Sequence, residues 1–134
     1  MLALVSGATA SRDRNLDFAL RAVRTHCPGP NRQINTSMWI PGVHFNALYG
    51  NCRAADGRDQ RIWFFAGHRF VGTDSRASSR DIVGIWRNDT TIAFMYVLYR
   101  ASDPNCCPTG GGKLVRFRLS GSGVHVLDPL PRNR

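Results

Sequence analysis

Thr90-Thr91-Ile92-Ala93-Phe94-Met95-Tyr96-Val97-Leu98-Tyr99 is the stretch on which the fold turns. Its alternate positions are apolar on both sides, Ile92, Phe94, Tyr96 and Leu98 against Ala93, Met95, Val97 and Tyr99. That pattern predicts a strand at the centre of a covered sheet. Working outward, Ile82–Trp86 pairs with it as a hairpin turning at Asn88-Asp89. A tighter hairpin joins Arg61–Phe65 to His68–Gly72 across Ala66-Gly67, where Gly67 supplies the positive φ of a short turn. Val43–Tyr49 alternates Val43, Phe45, Ala47 and Tyr49 with His44, Asn46 and Leu48. Lys113–Leu119 alternates Val115, Phe117 and Leu119 with Arg116 and Arg118, and Gly121-Ser122-Gly123 returns the chain into Val124–Leu127. Thr73–Arg80, rich in Asp, Ser and Arg, is expected to be a mobile surface loop.

Before the strands, Leu16, Ala19, Leu20 and Val23 share one face at helical spacing, which predicts a helix over Leu16–Thr25 with Asn15 as its N-cap. His26-Cys27-Pro28-Gly29-Pro30 stops it. The expected class is α+β: one N-terminal helix packed on an antiparallel meander sheet of about six strands, stapled by disulfides. The expected organisation is a signal-peptide remnant or disordered segment over 1–14, a single domain over 15–131 and a tail over 132–134.

The chain carries Lys+Arg 18 against Asp+Glu 9, a formal net charge of +9. Such a surface suits a polyanion: nucleic acid, an acidic envelope polymer or an anionic lipid surface. The cations are almost all arginine, Lys113 being the single lysine, and they are scattered rather than gathered into a phosphate-tracking stripe. No specific nucleic acid is therefore expected as a partner.

Four cysteines, Cys27, Cys52, Cys106 and Cys107, show no metal-ligand spacing and read as two disulfides of a protein outside the reducing cytoplasm. Neighbouring residues sit ~3.8 Å apart at Cα, below the ~4.4–6.8 Å usual for disulfides, so Cys106 and Cys107 are each expected to bridge to Cys27 or Cys52, in an order the sequence leaves open. A strained vicinal bridge acting as a redox switch is the alternative. Zinc is disfavoured because adjacent ligands fit tetrahedral geometry poorly. At the N-terminus, Ala8-Thr9-Ala10 has the small-x-small form of a signal-peptidase site, without a basic n-region before it. The cysteine pattern favours export, with a start lying further upstream, over an intracellular protein with an unstructured N-terminus.

Candidate chemistry is thin. Four histidines, His26, His44, His68 and His125, on a basic protein admit a ribonuclease-like acid-base pair, but their positions read as surface residues. Gly110-Gly111-Gly112-Lys113 lacks the leading spacing and following Ser/Thr of a phosphate loop, and the chain has no Gly-x-Ser-x-Gly element. Trp63 and Trp86, on strands among apolar neighbours, read as core. Trp39, in a loop before Pro41-Gly42, reads as exposed and suited to a partner. The candidate interaction residues are Trp39, His44, Arg116 and Arg118.

Phe64-Phe65-Ala66-Gly67-His68-Arg69-Phe70-Val71-Gly72-Thr73, the strand ending Tyr96-Val97-Leu98-Tyr99, Asp103-Pro104-Asn105-Cys106-Cys107-Pro108-Thr109-Gly110-Gly111, then Leu114-Val115-Arg116-Phe117 and the closing Leu127-Asp128-Pro129-Leu130-Pro131 follow one another in a specific order. In these pieces, over about Asn51 to Pro131, the chain resembles the LppP/LprE family of actinobacterial lipoproteins. The resemblance implies an exported cell-envelope protein without established enzymatic activity. Members usually carry a lipobox cysteine, which Ala8-Thr9-Ala10-Ser11 does not offer; the anchor then lies upstream of Met1, or the protein is released. The expectation is a monomeric, non-enzymatic binding module with no cofactor and an unknown envelope or extracellular partner, meeting membrane only through such an anchor. The alternative is a small secreted basic hydrolase acting on a polyanion.

Overall fold

The computed structural model describes residues 13–121 and 123–134, so residues 1–12 of the expected leader or disordered segment over 1–14 lie outside the described residues, while Asp13 and Arg14 belong to the helix start. Helix α1 spans Arg14–His26. Its cap is Asp13 rather than Asn15, and Arg14 belongs to the helix: the Asp13 carboxylate accepts the Leu16 N–H at 3.1 Å and the Trp39 indole N–H at 2.7 Å. One side chain thus satisfies an orphan helix donor and ties the helix start to a distant loop. Cys27 ends the helix, its N–H bonding back to the Val23 carbonyl.

Eight strands follow: β1 Gln33–Asn35, β2 Phe45–Asn51, β3 Gln60–Ala66, β4 Arg69–Thr73, β5 Ile82–Arg87, β6 Thr91–Val97, β7 Gly112–Ser120 and β8 Gly123–Val126. They form two antiparallel four-stranded sheets, ordered β1-β2-β3-β4 and β5-β6-β7-β8, which replaces the single meander of about six strands. The physical reason lies in β2 and β3. Phe45, Ala47, Tyr49, Ile62 and Phe64 point one way and Leu48, Trp63 and Phe65 the other, and all are buried. A sheet with two apolar faces needs two covers, and one helix supplies only one. The second sheet supplies the other. The molecule is layered helix, first sheet, second sheet.

The outer core, between α1 and the first sheet, holds Ala19, Val23, Trp39, Leu48, Trp63 and Phe65. Between the sheets lie Phe45, Phe64, Phe94 and Phe117 in mutual ring contact, with Phe64 and Phe117 centroids 4.9 Å apart. The stretch Thr91–Val97 is indeed a central strand, paired on both sides. β1 has no counterpart among the strands read from the sequence. It lies so close to β2 that a side chain on Gly50 would run into the Gln33 carbonyl oxygen, and Gly50 takes a φ of 152° there.

The segment read as a mobile loop, 73–80, is instead pinned between the sheets. Ser79 is buried and exchanges both backbone hydrogen bonds with Gln60. The Asp74 carboxylate accepts the Ile62 N–H at 3.1 Å and the Tyr96 hydroxyl at 2.7 Å, joining β3 to β6. Asp74 and the Ser79 backbone are the means of crossing between two sheets, because they supply bonds that the severed strand ladders do not.

The disulfide pairing also departs from expectation. Cys27 joins Cys52, with Cα atoms 5.2 Å apart, and Cys106 joins Cys107, with Cα atoms 3.7 Å apart. Packing of α1 on β2 makes Cys27 and Cys52 neighbours in the outer core, leaving the later pair to each other. Only the first is a staple between elements.

Candidate binding surface

The second sheet has one face in the core and one uncovered. Register places Val83 opposite Met95, Trp86 opposite Ala93, and Met95 and Ala93 in turn opposite Leu114 and Arg116. A β-bulge at Ile85 makes this arrangement. Simple alternation from Ile82 and Gly84 puts Trp86 in the core, but the extra residue reverses the sides, so Trp86 faces outward at 51% exposure and Arg87 turns inward. Trp86 is thus surface rather than core. The uncovered face presents Val83, Ile85, Trp86, Leu114 and Leu127, all exposed, around the half-buried Met95 and Val97.

Arg87 fixes the bulge from the inner side. Its guanidinium donates to the Met38 and Phe45 carbonyls and to the Asn46 side-chain oxygen at 2.7–2.9 Å. Burial lowers its pKa, an effect countered by the Asp89 carboxylate. Asn46, buried at the start of β2, holds the Ile40 N–H and carbonyl as well.

Cations border the apolar face. Arg116 and Arg118 alternate with the buried Val115 and Phe117, as the sequence pattern requires. Arg116 is bound side-on by Asp128, Nε to Oδ2 at 2.9 Å and Nη2 to Oδ1 at 3.0 Å. Hydrogen bonds from Arg116 hold the Asp128 carboxyl down at about 2 and raise the Arg116 pKa. Arg118 lies opposite His125 in the register, and both are exposed. Its charge remains available, because no ion pair of Arg118 occurs among the described residues.

The other expected interaction residues part company. Trp39 is only 7% exposed, edge-on to Phe65 at 5.8 Å and donating to Asp13, so it is a core residue that locks α1 down and not a contact for a partner. Loop context misled here: Met38 and Trp39 straddle the edge of the first sheet, one dipping into each core. His44 is exposed just ahead of β2, beside Gly67 on the first sheet and not on a strand of the second. His26 bonds the Ala22 carbonyl and His68 leans on Phe18 at 5.1 Å. Four clefts open among the described residues whose linings contain at most one histidine each, His26 in the one beside Cys27 and Cys52. One cleft, of about 650 Å³, is amide-rich and lies beside β1, its lining including Gln33, Asn35, Asn51 and Gln60.

The Cys106-Cys107 turn is exposed, and Asp103 clamps its two ends by accepting from the Arg100 N–H, the Thr109 N–H and the Thr109 hydroxyl. The backbone bond to Arg100 leads in lowering the Asp103 pKa.

Asp74 is the titratable group that sequence reading passed over. Burial raises its pKa against the lowering effects of Tyr96, the Ile62 N–H and Arg134, and burial followed by the Asp74 charge raises that of Tyr96. The folded carboxyl therefore binds its proton more tightly than the unfolded one. Its stability cost is full above the folded pKa and disappears as pH falls to the unfolded value. Relative to Asp74→Asn, the wild type should gain stability between pH 7 and pH 4, read as converging or crossing urea midpoints. A constant difference would mean that Asp74 titrates as if unfolded.

A family model described as LppP/LprE lipoprotein matches residues 45–122, more than half of the chain. The match runs from the first residue of β2 to the turn before β8, and so takes in most of both sheets but not α1. Neither the curated proteins nor the solved structures yield a match.

Proposed function

We propose, for a chain that belongs to the LppP/LprE lipoprotein family, a non-enzymatic binding module of the cell envelope that lies with the outer face of its second sheet against an anionic lipid surface. The observation that carries this reading is the uncovered face itself, on which Val83, Ile85, Trp86 and Leu114 stand exposed beside Arg118. Contiguous exposed apolar side chains cost free energy in water and mark a docking surface. A tryptophan among aliphatic residues with cations alongside suits the lipid interface, where an amphipathic ring and a guanidinium both find partners. The net charge of +9 adds attraction to an anionic bilayer over a neutral one. Lipoprotein kinship supports an envelope-associated location for such a surface, and the disulfides support export.

The protein contains its own reporter. Trp39 and Trp63 are buried and Trp86 is exposed, so the solvent-sensitive part of the emission belongs to Trp86. Adding phosphatidylglycerol-containing vesicles to the unacylated protein should shift that emission to the blue, and pure phosphatidylcholine should not. Trp86→Ala with Leu114→Ala should weaken vesicle partitioning about tenfold, the equivalent of losing roughly 1.4 kcal/mol of apolar burial. Partitioning unchanged by the pair, or equal on both lipids, would end the reading. Capture of a protein partner by this face, with no vesicle binding, would replace the lipid with a polypeptide.

A further inference from the structure

Four arginines from three separate segments line one cavity of about 310 Å³: Arg80 from the crossover, Arg100 after β6, and Arg132 and Arg134 from the closing segment. No ion pair of these four occurs among the described residues, where the acidic partners found are taken by Arg58, Arg61 and Arg116. Asp74 and Asp103 exert charge effects on Arg134 and Arg100 without reaching ion-pair distance. Gathering like charges opposes folding unless something of opposite sign is bound.

Two of the four cations, Arg80 and Arg134, are also held in place. Arg80 lies over the buried Tyr99 ring, its guanidinium carbon 4.6 Å from the centroid, a contact that orients the charge without neutralising it. The Tyr99 N–H donates to the Asn133 carbonyl at 2.8 Å, which seats the closing segment, and with it Arg132 and Arg134, against the end of β6. Arg134 donates from Nη1 to the Pro131 carbonyl and from Nη2 to the Ser75 hydroxyl, while its buried Nε has no acceptor. Forked donors lining a cavity of this size match a compact oxyanion of more than one charge.

We propose that this cavity is a binding site for a phosphate-monoester or pyrophosphate group, presented either by a free metabolite or by a lipid headgroup. The site shares no residue with the uncovered sheet face and stands or falls independently of the lipid-docking reading.

Arg80→Ala with Arg132→Ala tests it, since both side chains are exposed and no side-chain hydrogen bond or ion pair of either occurs among the described residues, the Arg80 contact with the Tyr99 ring being the one packing interaction removed. Arg24→Ala with Arg69→Ala, exposed and outside the cavity, is the control of equal charge. Calorimetric titration with sodium pyrophosphate should give one saturable site in the wild type and the control, weakened at least tenfold in the cavity variant. Vesicles containing phosphatidic acid, a monoester headgroup, form the second arm. Wild-type binding that pyrophosphate displaces and the cavity variant lacks assigns the lipid source, whereas pyrophosphate binding without a phosphatidic-acid preference over phosphatidylglycerol assigns the free one. Absence of saturable binding to both probes, or equal weakening in control and cavity variants, overturns the site. The Trp86 and Leu114 substitutions should leave the pyrophosphate titration unchanged, so this site can fail while sheet-face docking survives, and the reverse.

Discussion

A protein carrying Cys27→Ala and Cys52→Ala is expected to unfold on the order of 12 °C below the wild type, while Cys106→Ala with Cys107→Ala moves the midpoint by about 2 °C or less. Cys27 and Cys52 are 25 residues apart and clip the end of α1 to the chain leaving β2. In the chain-entropy account a closure of that length restricts the unfolded state by about 3.5 kcal/mol. For a chain of 134 residues, a melting entropy of about 2.1 cal/mol/K per residue converts that into the stated shift. Both sulfurs are buried, so alanine leaves small voids that add to the effect. The bridge between neighbours closes almost no loop, and Asp103 continues to hold the turn without it. Thiol mapping checks the pairing directly: Cys107→Ser should expose Cys106 alone to alkylation. Labelling of Cys27 or Cys52 instead would restore the cross-paired arrangement and make the Cys106-Cys107 corner the staple.

Much of the chain's local structure was legible because side-chain periodicity is local. The alternation Val115, Arg116, Phe117, Arg118 set β7 correctly, and Gly67 placed the β3–β4 turn, where it takes a φ of 62°. The doubly apolar stretch Ile92 to Val97 announced a strand with neighbours on both sides, which β6 has. Sheet number was harder to read. Both faces of Phe45–Asn51 are buried, yet Asn46 and Asn51 sit among them and make the pattern look half polar. Those amides are buried because each bonds loop backbone, Asn46 to Ile40 and Val43, Asn51 to Asn31 and Ala54. A polar residue that serves as a loop anchor is indistinguishable in sequence from one that faces water.

The binding surfaces were less visible still. Trp39 and Trp86 exchanged places because a loop tryptophan can fold back onto a helix and because one bulge residue reverses a strand's sides. Gly84 beside Ile85 was the available signal, a glycine inside a strand pattern being a mark of irregular pairing. Of the expected interaction residues, Arg116 and Arg118 flank the uncovered face, and His44 lies just ahead of β2, not on a strand of the second sheet. The arginine cavity was not detectable from spacing at all. Arg80, Arg100 and the pair Arg132 and Arg134 belong to three separate segments, which the crossover, the Tyr99–Asn133 bond and the Arg134–Ser75 bond bring together.

The neighbouring residues Phe64 and Phe65 give the sharpest test of the layered architecture. On a sheet covered on one side, adjacent strand positions alternate between core and solvent, so alanine at one is costly and at the next nearly neutral. Here both rings are fully buried, in different cores. Phe64 sits between the sheets against Phe45, Phe94 and Phe117, and Phe65 lies under α1 against Trp39 and Phe70. Each substitution to alanine is expected to cost about 4 kcal/mol, the usual scale for a fully buried phenylalanine with its cavity. That corresponds to a midpoint lowered by roughly 14 °C in either case. Urea denaturation of the two variants reads the result. Comparable losses require a cover on each face of the first sheet, whereas a large loss at one position with a change under about 0.5 kcal/mol at the other, the ordinary range for surface sites, would return the protein to a single sheet backed by one helix.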